Sequence, residues 1–175
     1  MRRAFYPGRF QPVHLGHVKA VRWLLERVDE VIVGVTAAQY SYTPENPFTA
    51  GERIEMLRAA FREEWGRLFV VPLDNVPDNS LWLSYVASRV PSFEFVATGN
   101  EFVKLLARER GYEVLELPLW ERDRLQGRVV RELMASGGEW RELVPPGVAE
   151  YLERIGAPER VRKIYLSERV KTPEY

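Results

Sequence analysis

Cysteine is absent from this 175-residue chain. That excludes a disulfide framework, a thiolate nucleophile and a thiolate zinc site. Net charge is absent too, with 25 basic and 25 acidic residues. No global field draws nucleic acid or an anionic membrane, and neither is expected as a partner. No apolar run approaches the ~18 residues a membrane span needs. The N-terminus enters polar sequence at once, so a soluble cytoplasmic protein is expected. Lysine is scarce, because 21 of the 25 basic residues are arginine. Arginine suits bidentate phosphate and carboxylate contacts, while codon bias or adaptation to heat would explain the same excess. Histidine is scarcer still. The only two, His14 and His17, sit together in "GRFQPVHLGH", residues 8–17.

What is present is a real core: 46% of residues are hydrophobic, which excludes general disorder. There is no repeat and no low-complexity tract. Short apolar runs alternate with amphipathic ones. Strands are expected at 4–7, 31–35, 68–73, 93–98 and 112–118. "VIVGV" at 31–35 is continuous and β-branched, as buried parallel strands are. Helices are expected at 14–28, from Thr49 to about 65, from Asn79 or Ser80 to 90, from Asn100 to 110, at 127–135 and at 146–155. Thr49 and Glu52 have the spacing of a capping box. The order βαβαβαβαβ predicts an α/β fold: a Rossmann-like open parallel sheet with helices on both faces and a C-terminal helical extension. Residues 1–155 are expected to form the main domain and 156–175 a tail. That tail has too few apolar residues for a core of its own and would suit a subunit interface. Ligands of such sheets sit beyond the carboxyl ends of the strands, so the loops there carry the chemistry.

The first of those loops is the histidine stretch. Gly8 lets backbone approach a ligand, and the helix starting near His14 points free N–H groups and a partial positive charge at the same place. Two imidazoles three residues apart share a face, and Gly16 leaves that face open. The result suits polyphosphate. It does not suit nucleophilic hydrolysis, since no serine or cysteine lies beside the histidines. No carboxylate within the turn completes a metal-ligand set, so no metal is expected on protein side chains. The ordinary alternative is a strand-to-helix corner with histidines as cap and packing residues.

"GRFQPVHLGH" resembles the His-x-Gly-His signature of the nucleotidyltransferase superfamily and, in its longer form, that of the archaeal nicotinamide mononucleotide adenylyltransferases. Class I aminoacyl-tRNA synthetases share the short signature, but this chain is too short for one and has no Lys-Met-Ser-Lys-Ser segment. Further anchors follow in order over residues 3–155: "NPFTAGER" at 46–53, "NSLW" at 79–82, "TGN" at 98–100 and "RDRLQGRVVR" at 122–131.

The resemblance implies adenylyl transfer from ATP to nicotinamide mononucleotide (NMN), giving NAD and pyrophosphate, with Mg²⁺ accompanying ATP. It implies roles as well. His17 would contact the α-phosphate and His14 the β/γ side. Arg9 and the backbone of Gly8, Phe10 and Gln11 would line the triphosphate path, with Gly16 beside them. Arg131 would hold the leaving pyrophosphate. Arg122, Gln126, Gly127 and Arg128 form the late phosphate element, and Gly99 and Asn100 approach adenine or ribose. On the acceptor side, Trp82 would stack on the pyridine ring and Asn79 would line its pocket. Arg53 would bind the acceptor phosphate or else pair with Glu52 or Glu55 on the surface. Archaeal relatives tend to be hexamers, which implies a homo-oligomer.

Three departures stand out. Asn75 occupies a position where the family often has an aspartate near the carboxamide, and Asp74 is one residue away. Glu45 precedes "NPF" where a basic residue is common and would repel a phosphate. Gln126 and Arg128 replace small hydroxyl residues, and Arg128 brings a charge able to offset Glu45. Other readings are therefore a different acceptor (nicotinate mononucleotide, a flavin nucleotide, pantetheine phosphate, or a phospho-alcohol with CTP) or a nucleotide sensor without chemistry. An aromatic acceptor requires Trp82 in the cleft, whereas a buried Trp82 favours a non-aromatic one.

Overall fold

The computed structural model describes residues 1–170, with side chains through Ser167. Its centre is a five-stranded, all-parallel sheet in the order β3-β2-β1-β4-β5. The strands are β1 (Arg3–Gly8), β2 (Glu30–Val35), β3 (Leu68–Pro72), β4 (Phe95–Thr98) and β5 (Glu113–Glu116). The helices are α1 (Leu15–Leu25), α2 (Ala50–Ala60), α3 (Trp82–Arg89), α4 (Glu101–Glu109), α5 (Gly127–Ser136), α6 (Pro146–Arg154) and α7 (Ala157–Val170). The expected α/β class and alternation are what the chain adopts.

Side chains alternate across each strand, and that alternation splits the core in two. Ala4, Tyr6, Val31, Val33, Val35, Phe95 and Ala97 face one layer, where they meet Val18, Val21 and Leu24 of α1 and Met56 and Leu57 of α2. Phe5, Ile32 and Val96 face the other, against Leu83 and Val86 of α3 and Ala107 of α4. Both faces are covered, which is why the central strands read as unbroken apolar runs. The chain changes face between β1 and β4, so the crevice beyond these two strands is the switch point where ligands of such sheets bind.

Two helices are shorter than their periodicity predicts. α1 ends at Leu25, where the Arg67 guanidinium donates to the carbonyls of Leu25 and Val28 at 2.8 and 3.0 Å and supplies the partners a helix end lacks. α2 ends at Ala60 rather than near 65. Phe61 leaves the helical region (φ −124°, ψ 45°) with its side chain fully buried, and a 3₁₀ turn at Trp65–Arg67 carries the chain to β3. The expected capping box is present: Thr49 Oγ1 accepts the Glu52 N–H at 3.1 Å, and Glu52 returns the bond to the Thr49 N–H at 2.9 Å.

The tail from 156 begins with α7, which lies along α5 and α6. Ala157 and Val161 reach zero exposure in the chain's own core. Residues 171–175 of the expected tail lie outside the described residues. No helix among the described residues is long and apolar enough to cross a membrane.

Candidate active site

The loop between β1 and α1 is tied down on every side by buried polar contacts. Phe10 adopts φ +54°, a left-handed conformation uncommon outside glycine. That turn drives its ring inward, against His17 (centroids 4.6 Å apart) and Tyr6 (6.0 Å). A Cβ on Gly8 would lie 2.7 Å from the same ring, so the glycine makes room for Phe10. The Gln11 amide is equally committed, donating to the Phe48 carbonyl and accepting from the Phe48 N–H, both at 3.0 Å. Two guanidiniums take the loop's carbonyls: Arg53 Nη1 donates to Arg9 O at 2.9 Å, and Arg131 Nη1 to Gln11 O at 2.9 Å.

The two histidines close a capping box of an unusual kind. His14 caps α1, its Nδ1 accepting the Gly16 N–H at 3.0 Å. Its own backbone N–H donates to Nδ1 of His17, also at 3.0 Å. An imidazole nitrogen that accepts carries no proton, so both rings are held as the Nε2–H tautomer. Each therefore presents one fixed donor. The rings stack, with centroids 3.7 Å apart and planes at 28°. Burial lowers the His14 pKa to about 4 and, with His14 beside it, holds His17 well below the usual imidazole range. Both are neutral donors at pH 7. Gly16 is required because a Cβ there would stand 2.8 Å from His14 Cε1.

Two cavities flank the carboxyl ends of β1 and β4. The first, about 400 Å³, is walled by His14, His17 and Gly16 on one side and by the start of α5, Gln126–Gly127, on another. α5 opens with no side-chain cap, so its first N–H groups are free for an anion. A Cβ on Gly127 would lie 2.8 Å from Arg131 Nη1 and 3.2 Å from Gln11 O, which keeps this approach clear only for glycine. Leu117, Leu119 and Trp120, after β5, give the same cavity an apolar wall suited to a base. The second cavity, about 410 Å³, holds Gly8 and Arg9, the amides Asn75 and Asn79, and the half-buried ring of Trp82. Pro7, Thr98 and Asn100 border both. Among the described residues, each cavity is lined by a single charged one, Arg122 in the first and Arg9 in the second, and by no carboxylate. Two anions are thus invited to meet at a shared partition.

The structure brings most of the expected residues together. His14, His17, Gly16, Gly99, Asn100, Arg122, Gln126 and Gly127 lie on the first cavity, and Gly8, Arg9, Asn75, Asn79 and Trp82 on the second. Six do not face a cavity. The rings and amides of Phe10 and Gln11 are used in the loop's own packing, as described. Arg53 is fully buried and spends its donors on the carbonyls of Arg9, Thr36, Ala37 and Thr49, so it neither reaches an acceptor phosphate nor pairs with Glu52 or Glu55. Burial, with Arg9 nearby, lowers its pKa to about 10. Arg128 is exposed and pairs with Glu132 one turn on, at 3.1 Å, so it does not offset Glu45. Glu45 instead lies close enough to Arg131 to act on its charge. Arg131 lines neither cavity but lies beside Gly127 with its Nη1 on Gln11 O, and its buried Nε has no partner among the described residues. Asp74 is exposed, with its backbone N–H held by the Tyr85 hydroxyl at 2.9 Å; Asn75, not Asp74, borders the cavity.

Sequence reasoning missed Thr98, whose Oγ1 accepts the Asn100 N–H at 3.0 Å and fixes the partition. It missed the apolar wall at 117–120, which carries no motif. It also missed Gln39, whose amide holds the Asn75 backbone from both sides, at 3.1 and 2.9 Å.

The model of the cytidylyltransferase-like family matches residues 5–124. The chain is 50% identical over 172 residues to a nicotinamide-nucleotide adenylyltransferase of Pyrobaculum aerophilum, covering 96% of this chain and 97% of that protein. It is 43% identical to the enzyme of the same name from Pyrococcus horikoshii over the full length of both. Among solved structures, a bifunctional NMN adenylyltransferase/ADP ribose pyrophosphatase from Francisella tularensis, complexed with AMP and a manganese ion, superposes with a TM-score of 0.79 at 15% identity. The match covers 96% of this chain and 53% of that one, a likeness of fold.

Proposed function

Because the chain belongs to the cytidylyltransferase-like family, and within it matches nicotinamide-nucleotide adenylyltransferases over nearly its whole length, we propose that it transfers the adenylyl group of ATP to nicotinamide mononucleotide. The products are NAD and pyrophosphate. The observation that carries this reading in the structure is the pair of cavities, each with one arginine and no carboxylate among the described residues, meeting at Thr98 and Asn100.

The chemistry follows from that arrangement. A phosphate oxygen of the mononucleotide attacks the α-phosphorus of ATP. The new P–O bond forms as the bond to the β-phosphate oxygen breaks, and pyrophosphate leaves. The attacking oxygen is already anionic at neutral pH, so no proton has to be removed. A site without a carboxylate base is suited to this. Rate comes from holding the two phosphates in line and from donors aimed at the charge that develops. The Nε2–H groups of His14 and His17, their tautomers fixed by backbone, are such donors. The free N–H groups at the start of α5 and the Arg122 guanidinium receive the β and γ phosphates. Arg131 and Arg53 act through the loop: they pin its carbonyls away from the anion. Arg9, expected on the triphosphate path, lines the cavity of Trp82 instead, where it takes the acceptor phosphate while Trp82 stacks on the pyridine ring. Asn75 and Asn79 face its exocyclic group with amides, which admit the carboxylate of nicotinate mononucleotide as well as the carboxamide.

Among the described residues no group of three or more carboxylates and histidines could hold a metal ion. We take the divalent cation to be Mg²⁺, which would enter with ATP as part of the substrate. We also assign the protein to the cytoplasm, where both mononucleotide and ATP are available, and to a homo-oligomer of six copies. Light scattering on a sizing column tests the last point, and a monomer would overturn it.

The deciding assay incubates the protein with ATP, Mg²⁺ and either NMN or nicotinate mononucleotide and follows dinucleotide and pyrophosphate, beside a His17→Ala control. Dinucleotide and pyrophosphate in equal amounts, lost in the control, are expected. No product with either acceptor, despite ATP binding, would move the reading to another acceptor or to a sensor.

A further inference from the structure

Phe102 is the one large aromatic of the second cavity that the folding of the chain does not explain. It is the second residue of α4 and is 48% exposed. The first turn of a helix favours polar or acidic residues, and an aromatic ring loses rotamer freedom there. Left half in water, it returns little burial for that cost. Yet its place is rigidly set. Thr98 Oγ1 fixes the Asn100 N–H, and Asn100 Oδ1 in turn accepts the N–H groups of Phe102 and Val103 at 2.9 and 3.1 Å. Leu106, four residues along the same helical face, and the adjacent Val103 line the same cavity. Trp82 borders that cavity from a different helix, α3, and rests against Phe5 at 6.0 Å.

We propose that Phe102 is a second acceptor-binding residue, and that the pyridine ring of the mononucleotide is held between it and Trp82. This rests on the acceptor assignment above. A ring contacting two aromatic faces gains stacking on both, and each such contact is commonly worth a factor of about ten or more in affinity. Phe102 thus selects flat heteroaromatic acceptors over flexible phospho-alcohols of the same charge.

The test measures NMN binding without ATP, by calorimetry and by the ring-current shift of the pyridine protons, together with steady-state kinetics. The wild type is compared with Phe102→Ala, Phe102→Tyr and Trp82→Ala. In the alanine variant, weakening of NMN binding by roughly tenfold, a matching rise in KM for NMN and a smaller upfield shift are expected. KM for ATP should stay within twofold, and the tyrosine variant should restore the wild-type values. Unchanged thermal melting, expected for so exposed a residue, separates binding from stability. NMN binding that is equal in wild type and Phe102→Ala would overturn the proposal while leaving the adenylyl transfer intact. A wild type that neither binds nor consumes NMN would overturn both, and the two failures are told apart by the wild type alone.

Discussion

At the scale of single residues, the candidate site fixes where its imidazole protons are. Two backbone N–H groups, those of Gly16 and His14, occupy the two Nδ1 atoms and leave the two Nε2–H groups free. Removing one such donor from a charge-stabilising site commonly costs about 10²–10³ in turnover, so His17→Ala should lower kcat by that order in a pyrophosphate-release assay. His17→Ala also breaks the capping box, and a lowered melting temperature should accompany the loss. The same burial makes the fold sensitive to acid. The His14 pKa is depressed from 6.5 to about 4 by burial, so the unfolded chain binds the proton more readily than the folded one. Its stabilising share is complete above about pH 6.5 and is lost as the pH falls through about 4. The loss amounts to about 3 kcal/mol, to be read from denaturant midpoints across that range. Residue types and spacing were enough to single out both histidines, Arg9 and Trp82, which the structure places on the two cavities. They did not show that the Phe10 and Gln11 side chains are taken up in the loop's own packing, because a side chain's direction there depends on a left-handed φ at Phe10 and on Phe48, 37 positions after Gln11.

At the scale of elements, the loops after β1 and β2 are fused by one buried guanidinium. Arg53, on α2, joins Arg9 O to Thr36 O and Ala37 O. Arg53→Met would strand these carbonyls in the interior and should cost about 3 kcal/mol or more, measured by chemical unfolding, with activity falling alongside. Had Arg53 bound the acceptor phosphate, KM for NMN would rise at unchanged stability. α2 itself was plain in the sequence through Thr49 and Glu52, which act locally. Its early end was not, since Phe61 leaves the helix to fill a core that only the assembled layers create. Arg53 looked like a surface or ligand residue for a related reason: nothing in its own helix shows that two distant loops close over it.

At the scale of the whole molecule, α7 acts as a strap across the site's scaffold. Arg160 grips both carboxylate oxygens of Glu52 at 2.7 Å and lies over the rings of Tyr42 and Phe48. Arg160→Met should cost about 2 kcal/mol, roughly 5 °C in melting temperature by calorimetry. The open parallel sheet was legible from alternation alone, because each strand and helix announces itself within ten residues. The strap was not, because its charged sequence shows neither the partner nor the direction. The strand order carries one more consequence, which concerns synthesis. β1 is made first and lies in the middle, and its second neighbour is β4, whose approach brings Arg3 together with Glu94, 91 residues later. A nascent half-chain can pair β1, β2 and β3 and form the histidine turn, yet β1 still has a bare edge. Thr98 and Asn100 have not been laid beside it, so neither cavity has its shared partition. The chain can therefore form its histidine turn early in synthesis, while its two cavities are joined only when the last strands dock.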